Sequence, residues 1–162
     1  MDPTRLTGTN PPVRILVVDD EESICEVLAR TLVAFGYVVD VALDAEAALV
    51  TMMERPASVA LVDIRMPGHD GAWLIERLQK SHPGTAIVII TGIVDLDPRL
   101  TLRPGVVGYL TKPFESAQVR DAVAKAVAEL RKAPPPGARR SLTAGSGEDD
   151  LPDLQDLDDP KH

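Results

Sequence analysis

The chain has 162 residues, 44% of them apolar, which suits one packed domain with length to spare and excludes full disorder. Aromatics make up only 3%, so the core has to be built from Val, Ile, Leu and Ala, and the single cysteine, Cys25, excludes an intrachain disulfide framework. The net charge of −8 argues against a nucleic-acid-binding surface, no apolar run approaches the ~18 residues of a membrane span, and residues 1–12 lack the apolar stretch of a signal peptide, so the cytoplasm is the expected compartment.

Residues 1–12, with Pro3, Pro11 and Pro12, read as a flexible leader. Val13 to Val18 is a continuous β-branched run, as a strand buried on both faces requires. Glu21 to Phe35 follows as a helix with Ile24, Leu28, Thr31 and Phe35 inward, stopped by Gly36. Tyr37 to Val41 is the second strand. Asp44 to Arg55 is the second helix, with Asp44 as its N-cap and Pro56 beyond its end. Val59 to Asp63 is the third strand and Asp70 to Ser81 the third helix, ended by Pro83-Gly84. Ala86 to Ile90 and Val106 to Leu110 are further strands. Glu115 to Lys132 is a long last helix with Val119, Ala122, Val123, Ala126, Val127 and Leu130 inward. Residues 133–162 open on Pro134, Pro135 and Pro136 and turn acidic, a composition that cannot bury enough surface to fold alone. The folded unit is therefore 13–132, followed by a disordered Pro-rich and acidic tail.

Strands and helices that alternate in this way imply an α/β fold, a doubly wound five-stranded parallel sheet covered on both faces. Ligands of such sheets bind beyond the carboxyl ends of the strands. Those ends carry Asp19 and Asp20, then Asp63, then Thr91, and Lys112-Pro113 follows the fifth strand. Three carboxylates brought to one edge repel one another unless a cation sits among them. Oxygen donors without nearby Cys or His suit Mg²⁺, and a lysine and a hydroxyl facing the same point suit phosphoryl oxygens. A carboxylate can itself be the nucleophile that forms an acyl phosphate. Taken singly, an Asp after a strand serves as a helix N-cap, Lys112 as a surface charge and Tyr109 as a half-buried packing residue. Cys25 reads as a small packing residue and His69 as a solvent-facing loop residue.

Val17-Val18-Asp19-Asp20-Glu21, Leu61-Val62-Asp63-Ile64-Arg65-Met66-Pro67-Gly68-His69-Asp70-Gly71, Ile89-Ile90-Thr91-Gly92 and Gly108-Tyr109-Leu110-Thr111-Lys112-Pro113-Phe114, in this order, resemble the receiver domain of bacterial two-component response regulators over 13–132. The resemblance implies the flavodoxin-like receiver fold. It implies that Asp63 accepts a phosphoryl group from a histidine kinase or phosphotransfer protein. Asp19, Asp20, Asp63 and the main-chain carbonyl of Arg65 would hold Mg²⁺, and Lys112 would pair with a phosphoryl oxygen. Thr91 would bond another and move toward it, and Tyr109 would be the aromatic switch that follows. In the family a cis peptide bond before the residue matching Pro113 aims the lysine.

Two departures stand out. The segment from Thr91 to Gly105 is one residue short of the family pattern, and Asp97-Pro98 starts a helix that Pro104 soon disfavours. Residues 92–105 are thus expected to form a short or irregular fourth helix and to be the most mobile part of the domain. After Lys132 the remaining residues are too few and too polar for a DNA-binding output module. Leu151, Leu154 and Leu157 in the acidic stretch suit either a docking motif or, more simply, a solvated tail. The expectation is a stand-alone response regulator that signals by phosphorylation-dependent binding of a downstream protein or by phosphorelay, with no enzymatic activity beyond self-phosphorylation and autodephosphorylation. Two alternatives are a receiver-fold binding module that works without phosphorylation and a phosphatase of the haloacid dehalogenase type. The second would need an Asp two residues after the nucleophile, where this chain has Arg65.

Overall fold

The computed structural model describes residues 11–92 and 97–132. The expected leader up to residue 10, the acidic tail with its leucines, and residues 93–96 of the irregular segment lie outside the described residues. The elements are β1 (Arg14–Val18), α1 (Glu22–Ala34), β2 (Val38–Ala42), α2 (Ala45–Glu54), β3 (Val59–Asp63), α3 (Gly71–Ser81), β4 (Ala86–Thr91), α4 (Pro98–Thr101), β5 (Val106–Thr111) and α5 (Ser116–Lys132). The strands form one parallel sheet in the order β2-β1-β3-β4-β5. This is the doubly wound, flavodoxin-like arrangement expected from the sequence.

Each central strand feeds two cores, because successive side chains point to opposite faces. Ile15, Val17, Val59, Leu61, Val88 and Ile90 pack with Leu28 and Leu32 of α1 and with Val119, Val123, Ala126 and Val127 of α5. Leu16, Val18, Ala60, Val62, Ile87 and Ile89 pack with Ala45, Ala48 and Met52 of α2 and with Leu74, Ile75 and Leu78 of α3. The continuous apolar runs exist because both faces are covered, and each fully buried Leu or Ile contributes about 1.5–3 kcal/mol.

Local signals start and stop the helices. Asp44 Oδ1 accepts from the Ala47 amide at 2.7 Å, and Asp70 Oδ1 accepts from the Trp73 amide at 3.0 Å, so both act as N-caps. Gly36, at φ +97°, turns the chain out of α1. Asp97 caps α4, with Pro98 in its first turn, and this helix is only four residues long, in keeping with the short fourth helix expected.

The inward face of α1 needs correcting. Cys25, Leu28 and Leu32 are its buried residues, Ile24 and Thr31 are half-buried, and Phe35 lies outside the helix and is 41% exposed. Phe35 is the C-cap residue, so the helical stripe ends before reaching it, and Arg120 covers its ring instead. Strand β2 begins one residue later than expected. Among the described residues no helix is long and apolar enough to cross a membrane.

Candidate functional site

In this sheet order the chain winds in opposite directions from β1 and β3, which leaves a crevice beyond their carboxyl ends. Asp19 follows β1 and Asp63 is the last residue of β3, so the two carboxylates flank that crevice. Asp19 is fully buried and Asp63 nearly so, whereas Asp20 is exposed at the rim. One oxygen from each of the three carboxylates lies within 4.8 Å of the other two.

Lys112 enters from the β5–α5 loop, where its amide donates to the Thr91 carbonyl at 2.8 Å and the following Lys112–Pro113 peptide bond is cis. Its Nζ lies 3.0 Å from Asp19 Oδ2, 3.0 Å from Glu21 Oε1 and 3.8 Å from Asp63 Oδ2. The contact with Asp19 Oδ2 is an ion pair by distance only. That oxygen is buried and lies off the directions a hydrogen bond requires, so its lone pairs have no donor.

Burial and then the Asp19 charge push the Asp63 carboxyl up, and with Lys112 and the Arg65 amide, which donates to Asp63 Oδ1 at 3.4 Å, only partly offsetting this it stands at about 6. Burial alone would lower Lys112, but its hydrogen bond to Glu21 and the close Asp19 and Asp63 charges outweigh that and hold it at about 12. The crevice therefore keeps a permanent cation beside carboxylates that it cannot fully neutralise. Three carboxylates face one ammonium, a buried oxygen lacks a donor, and the donor set is all oxygen. These residues fit a hard divalent ion.

Thr91 is buried at the end of β4, next in the chain to Ile90, the register partner of Asp63. Tyr109 of β5 is 59% exposed, more open than the half-buried packing residue considered from sequence. It borders an open cavity of about 430 Å³ lined also by Thr111, Gln118, Ala122 and Lys125. Arg65 is exposed in the β3–α3 loop. His69 in the same loop is exposed as expected, yet its ring stacks on Trp73 with centroids 3.7 Å apart. Cys25 is buried, its thiol donating to the Asp19 carbonyl, and burial followed by the Asp19 charge raises that thiol to about 11.

Sequence reasoning missed two residues at this site. Glu21 has no role in the sequence reading beyond its place in the first motif and at the helix start, although it continues the acidic run from Asp19 to Glu22. Gly71 closes the second motif but has no role in the sequence reading, although glycine in the first turn of a helix is unfavourable without a steric reason. A Cβ there would overlap the Asp63 carbonyl oxygen and come within 2.7 Å of Ile64 Cα.

The family model for the response regulator receiver domain matches residues 15–124. The DNA-binding transcriptional regulator NtrC of Salmonella typhimurium is 32% identical over 119 residues, which cover 73% of this chain and 25% of that protein. The transcriptional regulatory protein ZraR of the same organism is 31% identical over 121 residues, covering 74% of this chain and 27% of that protein. The chain thus spans about a quarter of the length of these relatives. Among solved structures, a CheY-like response regulator receiver domain protein from Methanospirillum hungatei is similar at a TM-score of 0.71 and 28% identity, covering 75% of this chain and 98% of the other. The receiver domain of NtrX from Brucella abortus is similar at a TM-score of 0.63 and 30% identity, covering 69% and 96%.

Proposed function

The chain belongs to the response regulator receiver family, and from that premise we propose that it accepts a phosphoryl group on Asp63 from a histidine kinase or phosphotransfer protein in the cytoplasm. It then passes the signal on by binding a downstream protein or by relaying the group. The observation that carries this reading is the meeting of the Asp19, Asp20 and Asp63 carboxylates within 4.8 Å of one another, with Lys112 beside them.

In this reading an Asp63 carboxylate oxygen attacks the donor phosphorus. A P–O bond forms as the P–N bond to the donor imidazole breaks, and the bonding pair leaves with the nitrogen, which takes up a proton. Asp63 must be ionised to attack; burial and the Asp19 charge oppose this in the metal-free crevice, and the Lys112 ammonium beside it favours it. The Lys112 ammonium pairs with one phosphoryl oxygen and the Thr91 hydroxyl donates to another. Asp19, Asp20, Asp63 and the Arg65 carbonyl would hold Mg²⁺, which when bound neutralises both the carboxylates and the phosphoryl charge. The chemistry is confined to the chain's own side chain, formation of the acyl phosphate and its hydrolysis.

Phosphorylation adds about −1.5 to −2 charges at one buried point. Thr91 moves toward that charge, and Tyr109, which starts exposed beside the cavity between β5 and α5, turns into the space released. The surface of that cavity changes, and a partner reads the change.

Incubation with acetyl phosphate and Mg²⁺, followed by peptide mapping, tests the reading. The phosphoryl group is expected on Asp63, and Asp63→Asn should abolish it. Modification of another residue in the unaltered protein, or modification undiminished in excess EDTA, would overturn it.

A further inference from the structure

Glu21 is the N-cap residue of α1, yet its side chain makes no capping bond. Its main chain is fixed from both sides. The amide donates to Asp19 Oδ1 at 2.9 Å, and the carbonyl accepts from the Ile24 and Cys25 amides. The carboxylate turns instead to Lys112, 91 residues later, and accepts a hydrogen bond from Nζ at 3.0 Å. With Asp19 also at 3.0 Å and Asp63 at 3.8 Å, the ammonium is drawn toward two carboxylates other than the proposed phosphoacceptor.

We infer that Glu21 is a positioning residue, which holds Lys112 off Asp63 in the resting protein and competes with phosphoryl oxygens for it. This inference rests on the phosphoacceptor reading. The two holding partners differ in burial. The Asp19 side chain is fully buried, whereas that of Glu21 is 59% exposed. An exposed ion pair is worth little and breaks cheaply, because water takes over the released charge. A buried one resists breaking. An anionic phosphoryl group arriving at Asp63 therefore pulls Nζ away from Glu21 first, and the Glu21 contact sets how readily the site loads.

Beryllofluoride, which mimics an acyl phosphate, is titrated with Mg²⁺ against the full chain and followed by fluorine NMR. The half-saturating acetyl phosphate concentration is measured alongside. The Glu21→Gln change leaves the main-chain bonds of the cap in place, and an unchanged thermal midpoint will confirm folding. Binding should tighten roughly two- to fivefold, the size of an exposed ion pair, with a matching fall in half-saturating acetyl phosphate and no loss of maximal rate. Glu21→Asp keeps the charge but shortens the reach, and should show at least half of that gain. Unchanged or weaker binding in Glu21→Gln overturns the inference while leaving the phosphoacceptor reading intact. A gain in Glu21→Gln with none in Glu21→Asp also overturns it, since general repulsion would then suffice. If the unaltered protein takes up neither beryllofluoride nor phosphate, the phosphoacceptor reading falls and this inference with it.

Discussion

The Cα of Gly71 stands against the carbonyl oxygen of Asp63 with no room between them for a Cβ. The amide of Gly71 also donates to the Ile64 carbonyl at 3.0 Å, so the start of α3 is clamped directly onto the end of β3. The position of the Asp63 side chain thus depends on a residue that carries none.

Gly71→Ala should therefore act on the site as well as on the fold. The new methyl meets main chain on both sides, which cannot move aside as a flexible side chain would. Destabilisation of about 1–3 kcal/mol is expected, as for overpacked cores, although alanine is the better helix former. Urea unfolding measures the loss, and acetyl phosphate labelling of the folded fraction should be slowed. A stabilised Gly71→Ala protein would show that the close approach is not present in solution.

Asp63 should destabilise the metal-free protein at neutral pH. Its folded pKa of about 6 lies above its ordinary 3.8, because burial and the Asp19 charge oppose ionisation. For a carboxyl raised on folding, the stabilising contribution is complete below the ordinary value and is lost as pH rises through the folded one. Asp63→Asn removes that loss. In EDTA, the variant should match the parent near about pH 4 and exceed it by roughly 1–2 kcal/mol near about pH 7. Equal stability at both pH values in urea titrations would contradict the electrostatic account.

Asp20→Ala separates metal binding from packing. Asp20 is exposed, and its charge also raises Asp63, so its removal relieves repulsion in the metal-free protein. Thermal stability in EDTA should hold or rise slightly. Mg²⁺ affinity, read by calorimetry, should fall roughly tenfold or more, and acetyl phosphate labelling at limiting Mg²⁺ should fall with it. Unchanged Mg²⁺ affinity would remove Asp20 from the ligand set.

The parts legible in the sequence were those with a local cause. Asp44 and Asp70 each sit where a cap is needed, Gly36 adopts the turn that only glycine takes easily, and Asp97-Pro98 starts a helix as it should. The strand ends gathered Asp19, Asp20 and Asp63 because parallel winding alone brings them to one edge. What escaped depends on contacts far apart in the chain or on phase. β2 starts one residue later than expected because the Tyr37 amide still belongs to the turn after α1, where it donates to the Leu32 carbonyl, and the first amide turned to β1 is that of Val38. Phe35 was placed inward because the helical period was carried one residue past the last turn of α1. The Glu21–Lys112 pair spans 91 residues, and nothing local predicts it.

The fourth helix sets up the remaining prediction. It spans only Pro98–Thr101, and the described amides that close its turn bond back over short spans, Leu100 to the Asp97 carbonyl, Leu102 to that of Pro98 and Arg103 to that of Leu100. Leu102 is 81% exposed and Asp97 caps the turn from an exposed position, while Leu100, only partly buried, is the apolar side chain among the described residues of this turn that packs on the core. The side chain of Gln79 on α3 ties to this stretch twice, donating to the Pro104 carbonyl and accepting from Arg103 at 3.3 Å. By contrast, α5 runs from Ser116 to Lys132 and buries Val119, Val123, Ala126 and Val127. Segments with few buried contacts and exposed backbone bonds open at low free energy. Amides of residues 99–103 should then exchange with solvent at least about a hundredfold faster than those of residues 119–127 in the unmodified protein. If Thr91 is drawn toward Asp63 as proposed, at the start of the same connection, beryllofluoride with Mg²⁺ should slow the exchange of residues 99–103. Protection in residues 99–103 equal to that of α5 before any modification would mean that this turn is as stable as the long helix and plays no part in the switch.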